Sequence, residues 1–442
     1  MRVSIVGAGY VGLVTAAGLA EIGHDVVCAD RDKHKVDLID SGVSPIYEPG
    51  LQELLTKHAR KRLTATQDVR KAVIDTDLSL VCVDTPFDGS RINLASVKAV
   101  SREIGAALSE KCDYHTVVVK STVVPGTTDA VVLPLLEKES GRTAGEDFGV
   151  GVNPEFLREA QAVADALNPD RLVLGANDQG TQEAFAELYA PFPDTHRIWT
   201  AIHTAELIKY ASNALFATLI SFSNEIANLA ADIGVDAMQV MDGVHHDRRL
   251  TPIIDDGSRV WPGLIAYLKP GCGFGGSCFP KDVRSLVAFA SEVGSPMRLL
   301  SSVMGVNDSQ PSRMLELLGR HVVDLKGARV TVLGLAFKPG TSDVRESPSL
   351  EVVRRLLDGG AEVTVFDPVA HDEARRVLGD GVTYADDLKS SVEKAEGILL
   401  MTAWPEFEIL PSLLSESHSP VVVDGRRFYS KETFSRYEAI GL

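Results

Sequence analysis

Val3 to Val6 form a short apolar run that enters GAGYVG at Gly7, Gly9 and Gly12, and helical spacing follows as far as Ile22. This order of strand, glycine turn and helix constrains the chain more than any other feature, because the turn opens a helix N-terminus to a phosphate. Gly7 allows the tight turn, Gly9 lets the backbone approach a pyrophosphate, and Gly12 lets the helix pack closely on the strand. Gly23 ends the helix, and DVVCAD makes a second strand finishing at Asp30. A carboxylate about 20 residues beyond the turn bonds ribose hydroxyls and repels a 2′-phosphate. The reading is a dinucleotide site that prefers NAD to NADP, with Arg31 pulling the other way.

At 442 residues the chain exceeds one ordinary core, and two or three domains are expected. Its formal charge of −17 disfavours nucleic acid or an anionic membrane as partner, since both require a basic face. An anionic ligand must therefore be met by local Lys, Arg and helix N-termini. The five cysteines, at 28, 82, 112, 272 and 278, form no disulfide framework and no CxxC zinc pair, which reads as a reducing compartment. Cys28 and Cys82 sit in apolar runs and are expected to be buried. No metal site is expected, because no histidines flank Cys272 and Cys278 at finger spacing. The chain starts directly on its first strand, and no apolar run reads as long enough to span a bilayer. A cytoplasmic location is expected.

From 1 to 199, short strands alternate with helices: LSLVCV, HTVVVKST, FGVGVNP and RLVLGA follow the first two strands. That alternation predicts a doubly wound parallel sheet. Thr200 to Gly234 has no proline and no interior glycine, and predicts one long helix that buries a face against another domain or subunit. Helical patterning continues to about 310. ARVTVLG and AEVTVFDP then open a second α/β domain over 315–442, whose first turn, GLAFKPGTSD, lacks the GxGxxG spacing. Lys338 and the nearby Arg345 suit it to another phosphate-bearing ligand.

Chemistry concentrates at a few positions. Lys209 and Asn213 are four residues apart and share one helix face, an ammonium and an amide suited to an oxyanion. Cys278 lies in GFGGSCFPKD, where Pro280, Lys281 and Asp282 precede a new helical period. A thiol at a helix N-terminus near lysines is a nucleophile. STVVPGT and NPEFLRE follow strands of the first sheet, at the ends where open α/β sheets bind ligands.

The segments GAGYVG, SPIYEPGL, STVVPGTT, NPEFLRE, AELIKYASN, GFGGSCFPKD and GLAFKPGTSDVRESPS, in this order, resemble the UDP-glucose/GDP-mannose dehydrogenase family over nearly the whole chain. The resemblance implies two Rossmann-like domains joined by a central helical dimerisation domain. It implies Cys278 as nucleophile, Lys209 and Asn213 at the oxyanion, Asp282 and Thr122 positioning a water or the lysine, and Glu155 as base in thioester hydrolysis. Gly7, Gly9, Tyr10, Val11, Gly12, Asp30, Lys35, Thr85, Thr122, Glu159 and Arg345 would hold NAD. Glu155, Phe156, Leu157, Arg158, Glu159, Lys209, Asn213, Arg259, Tyr267, Gly275 and Lys338 would meet a nucleotide sugar, with UDP-glucose favoured over GDP-mannose, TDP-glucose or a UDP-N-acetylhexosamine. Members of the family also send an arginine across a dimer, and Arg249 and Arg259 are both candidates.

Two departures stand out: Asp84 adds negative charge near the pyrophosphate turn, and the stretch 251–266 is longer than the family's usual loop. A two-electron hydroxyacid dehydrogenase also places Lys and Asn four apart, but needs no cysteine. A short-chain dehydrogenase needs YxxxK, and none of the nine tyrosines has a lysine four residues on. An NAD-binding regulator without chemistry would not need Thr122, Glu155, Lys209, Asn213, Cys278 and Asp282 together.

Overall fold

The computed structural model describes residues 1–414 and 419–442. Packing divides the chain into two compact units, Met1–Ser212 and Asn213–Leu442, each built on a sheet of its own.

The strands of the first unit are β1 (Arg2–Val6), β2 (Asp25–Ala29), β3 (Leu63–Thr66), β4 (Leu78–Val81), β5 (Thr116–Val119), β6 (Gly149–Val152), β7 (Arg171–Ala176) and β8 (His196–Thr200). They lie in the order β3-β2-β1-β4-β5-β6-β7-β8. Val3 faces Val26 on one side and Leu78 on the other, so the strand order reverses beside β1, which makes the crevice next to it the ligand-binding end. β4, β5 and β6 are buried at every residue, which is why they read as unbroken apolar runs.

The sheet is parallel except that β7 runs antiparallel to β6. The connection from 153 to 170 holds only a short helix, Ala162–Leu167, and β7 starts at the end where β6 stops, so no crossover is needed. β3 and β8 add to the strands that the sequence pattern predicts: LTAT and HRIWT carry too few apolar residues to stand out.

In the second unit β9 (Arg329–Leu333), β10 (Glu362–Phe366), β11 (Thr383–Tyr384), β12 (Gly397–Leu400), β13 (Val421–Asp424) and β14 (Tyr437–Ala439) lie in the order β11-β10-β9-β12-β13-β14. Every neighbouring pair is parallel. This is the order of the first six strands of the other unit, a repeat of fold that the sequences of the two glycine turns do not share. Ala227, Ala230, Ala237, Cys272, Met314 and Leu318 share one core with Val330, Val352 and Ile398 of this sheet. The central helices are therefore packed with the C-terminal strands.

The long helix runs from Ile202 to Asp232, 31 residues. By length and composition alone it could cross a membrane, contrary to the expectation that no apolar run could, with a best window of mean hydropathy 1.2. Its polar groups are nonetheless used inside the protein: Ser221 Oγ donates to Val303 O, Ser223 Oγ donates to Leu268 O, and Asn224 Oδ1 accepts from Gly271 N–H.

Candidate active site

Three glycines shape the first turn, for different reasons. Gly7 has φ +107 and a Cβ there would stand 2.7 Å from the Cys82 carbonyl oxygen; a Cβ on Gly12 would stand 1.9 Å from Gly7 O. The protein's own packing forbids side chains at both. A Cβ on Gly9 would meet nothing within 4 Å. Open space at the head of the Tyr10–Glu21 helix fits the pyrophosphate of NAD, whose charge the helix N-terminus favours. Asp30, just past β2, accepts from Ala8 N–H at 2.6 Å and Asp32 N–H at 2.9 Å, which places its carboxylate beside the turn. Arg31 is exposed, Val11 lies in the first helical turn, and Lys35 lies in the helix Lys33–Asp40 capped by Asp32. Thr85 Oγ1 donates to Thr122 O at 2.7 Å, joining the loops after β4 and β5. Asp84 is exposed and accepts from Ser96 Oγ at 3.1 Å.

Beyond β6, Glu155 receives a hydrogen bond from Lys209 Nζ at 2.9 Å and from Leu157 N–H at 2.7 Å. Burial works to raise the Glu155 carboxyl, but the Lys209 charge and hydrogen bond, the Leu157 N–H and the charge of Lys120 hold it below its ordinary value. The Lys209 ammonium also stands 5.3 Å from the Phe156 ring centroid, and Arg171 covers the same ring at 4.0 Å. Arg158 is clasped to Asp165 by Nε at 3.0 Å and Nη2 at 2.6 Å.

Cys278 is the N-cap of the helix Phe279–Glu292, and its carbonyl accepts from Asp282 N–H at 2.8 Å. Its Sγ lies 3.6 Å from Ser277 Oγ. It is half-buried, whereas Cys28, Cys82 and Cys272 are buried. Burial pushes the Cys82 thiol up to about 12, and it raises the Cys28 and Cys272 thiols too, which leaves all three protonated and inert. Asp282 does not cap this helix with its side chain. Its carboxylate accepts from Asn213 Nδ2 and from Lys281 Nζ, each at 2.6 Å. Tyr267 stacks on Phe216 at 4.5 Å, and Phe279 lies 6.3 Å from Tyr267, an aromatic wall next to the thiol in sequence.

The glycines of this turn answer to the chain itself. A Cβ on Gly275 would stand 2.3 Å from Glu346 O, and one on Gly276 would stand 2.9 Å from the Phe337 ring. Lys338 stands 5.7 Å from the Phe337 ring centroid, and Arg345 is paired with Asp343 through Nη2 at 2.7 Å. Arg259 donates Nη1 to His246 O at 2.9 Å and to Thr251 O at 2.8 Å, holding its own loop, while the Arg249 side chain is 89% exposed beside Asp247. Among the described residues no three His, Cys, Asp or Glu are grouped to hold a metal ion.

Sequence reasoning missed two buried groups here. Lys120 donates Nζ to Asn153 Oδ1 at 2.8 Å, and Glu206 accepts from Gly126 N–H at 2.6 Å and Thr128 N–H at 3.0 Å, tying STVVPGTT to the long helix. A lysine closing the apolar run VVVK was the available signal for the first.

The comparisons with known proteins agree with this geometry. The NAD binding domain of the UDP-glucose/GDP-mannose dehydrogenase family matches residues 1–193, its central domain 203–309 and its UDP binding domain 331–431. A UDP-glucose 6-dehydrogenase of Haloferax volcanii is 42% identical over 100% of both chains. A GDP-mannose 6-dehydrogenase of Pseudomonas aeruginosa is 43% identical over 87% of this chain and 85% of its own. The structure of a UDP-glucose dehydrogenase from Pyrobaculum islandicum superposes with a TM-score of 0.91 at 39% identity, covering 100% of this chain and 97% of that one. With all three family domains in order along a twice-repeated Rossmann sheet, the chain belongs to the UDP-glucose/GDP-mannose dehydrogenase family and is an NAD-dependent nucleotide-sugar dehydrogenase.

Proposed function

We propose that this enzyme oxidises the C6 alcohol of UDP-glucose to the carboxylate, one sugar, two NAD and one water giving UDP-glucuronate, two NADH and protons, through a thioester on Cys278. The observation that carries the reading is a half-buried thiol at the head of a 14-residue helix, in a chain whose three fully buried cysteines are inert. An enzyme that stops at an aldehyde or ketone has no use for it.

NAD, when bound, accepts the hydride of each oxidation. Lys209 and Asn213 stabilise the alkoxide that forms as the C6 hydroxyl loses its proton. The Cys278 thiolate adds to the aldehyde carbon, and loss of a second hydride from the resulting thiohemiacetal leaves a thioester. Glu155 takes a proton from the water that attacks this thioester, the carbon–sulfur bond breaks, and the uronate leaves as the Cys278 thiolate is restored. Asp282, bonded to Asn213 at 2.6 Å, orients that amide; Thr122 and Glu159 complete the cofactor end.

UDP-glucose is favoured because the relative named for it spans all of this chain, whereas the GDP-mannose relative spans 87%. GDP-mannose is the second reading, supported by the 43% identity of that relative. A homodimer is proposed from the exposed Leu215, Phe222 and Leu229, seven residues apart on the long helix, with Arg249 better placed than Arg259 to cross it. The scattered free cysteines support a cytoplasmic location.

The test is NADH formed per sugar across UDP-glucose, GDP-mannose, TDP-glucose and UDP-N-acetylhexosamines. Two NADH per UDP-glucose with the highest kcat/KM is expected. One NADH per sugar overturns the thioester route, and a preference for another sugar overturns the substrate.

A further inference from the structure

SPIYEPGL is the matched segment to which the reaction gives no task, and its Glu48 is buried. One carboxylate oxygen, Oε2, accepts both the Tyr10 hydroxyl and the Ala160 N–H, the latter at 2.8 Å; the other, Oε1, accepts the Ala162 N–H at 2.7 Å. These donors come from two parts of the proposed site. Tyr10 is the first residue of the helix after Gly9, and Ala160 directly follows Glu159. Ala160 has φ +66, a left-handed conformation that a residue with a Cβ adopts only when something holds it there.

We propose that Glu48 is a positioning residue that locks the cofactor turn to the 153–161 loop through Tyr10 and Ala160, so that dinucleotide binding and the setting of Glu155 and Glu159 are coupled. The inference rests on reading that turn as the NAD site and that loop as bearing the acid–base groups. Three donors converge on Glu48, and only a carboxylate offers acceptors on both oxygens. A glutamine in its place must turn an N–H toward at least one donor. Burial, and then the bond to Glu48, push the Tyr10 phenol above its ordinary range, so it stays an O–H donor. The segment is itself fixed: Gly50, at φ +82, caps the helix Leu51–His58, and a Cβ on it would touch Val163 at 3.5 Å.

The test uses the full-length enzyme with Tyr10→Phe, which removes only the hydroxyl, and Glu48→Gln. Three quantities are measured: NADH affinity of the binary complex, NADH-dependent slowing of hydrogen exchange at the amides of 157–163, and kcat and KM for UDP-glucose. The wild type is expected to show exchange slowed at 157–163 by NADH. In Tyr10→Phe that slowing is expected to be mostly lost, with kcat down about fivefold or more and the sugar KM little changed. Glu48→Gln is expected to do the same to a larger extent, and if it does not fold, Tyr10→Phe still decides. A wild type that does not bind NADH overturns the reading of the turn and the proposal with it. A wild type that binds NADH, with Tyr10→Phe matching it in exchange and in kcat, overturns the proposal alone. A change confined to NADH affinity also overturns it, since a purely local role for Tyr10 would produce that.

Discussion

Lys209 donates to Glu155 at 2.9 Å with the two side chains only 5% and 6% exposed, so each is the other's main compensation for leaving water. The pair cannot be altered on one side without stranding a charge on the other. Lys209→Met keeps the bulk and removes the ammonium. Glu155 then loses the largest of the influences that hold its carboxyl low, keeping only the Leu157 N–H and the Lys120 charge against burial, so its carboxyl rises. A depressed carboxyl stabilises the fold above its unfolded value and loses that contribution as pH falls through its folded value, so the variant should lose about 3 kcal/mol or more at neutral pH. Turnover should fall by roughly 100-fold or more, and the acid limb of the pH–rate profile should move to higher pH. Urea midpoints and kcat/KM from pH 5 to 9 check both, and an unmoved acid limb contradicts the assignment of Glu155 as base.

Cys278→Ser should separate the two oxidations of the proposed route. The serine hydroxyl keeps the geometry at the helix head but is a far weaker nucleophile and a worse leaving group. Steady turnover should fall by several orders of magnitude, with residual reaction stopping at the aldehyde or at an ester on the new serine. Single-turnover NADH yield together with intact-protein mass spectrometry reads this out. Two NADH per sugar at near the wild-type rate would remove the covalent step.

Where local pattern and tertiary environment agree, the sequence was legible. β1, its glycine turn and the place of Asp30 beside that turn were readable because strand, turn, helix and carboxylate follow one another within 30 residues. The long helix was readable from the proline-free stretch that became Ile202–Asp232. Asp367 shows where pattern stops. It follows β10 as Asp30 follows β2, yet its carboxylate accepts from Leu335, Ala336, Val369 and Ala370 N–H and from Trp404 Nε1, leaving nothing for a ribose. Nothing in AEVTVFDP distinguishes the two aspartates; Trp404 and the loop after β9 do, and they are distant in sequence. Glu48 went unread for the same reason, since Tyr10 and Ala160 lie 38 and 112 residues from it.

The exposed stripe on the long helix gives a test of assembly. Leu215, Phe222 and Leu229 are 57%, 46% and 57% exposed and, seven residues apart, lie in line along the helix, the kind of apolar stripe that marks an interaction surface. Phe222→Asp places a charge in the middle of this stripe while leaving the helix interior untouched. Sedimentation at low concentration should show a dimer or larger assembly for the wild type and monomer for the variant. An unchanged assembly would put the interface elsewhere, and a monomeric wild type would remove the dimer altogether.

His115 supplies a pH test of the first sheet. It is wholly buried, with Nδ1 3.0 Å from Thr76 O and Nε2 2.8 Å from Ser79 Oγ. The carbonyl can only accept, so the proton sits on Nδ1 and Nε2 takes the serine hydroxyl. Burial first, then the neighbouring Lys111 charge, pushes the imidazole down to about 3, with Thr76 O and Asp77 opposing. Between the ordinary histidine value and about 3, the unfolded chain therefore binds a proton that the folded chain refuses. Stability is full above that window and falls as pH drops through it, by up to about 1.4 kcal/mol per pH unit from this one group. His115→Gln retains an amide that can donate to Thr76 O and has nothing to titrate. Urea unfolding between pH 7 and 4, followed by hydrogen exchange of the β4 and β5 amides, should show the variant less stable at pH 7 but with a shallower acid slope. Equal slopes would mean that the folded protein protonates His115 and that the buried Thr76 and Ser79 bonds rearrange to accept the charge.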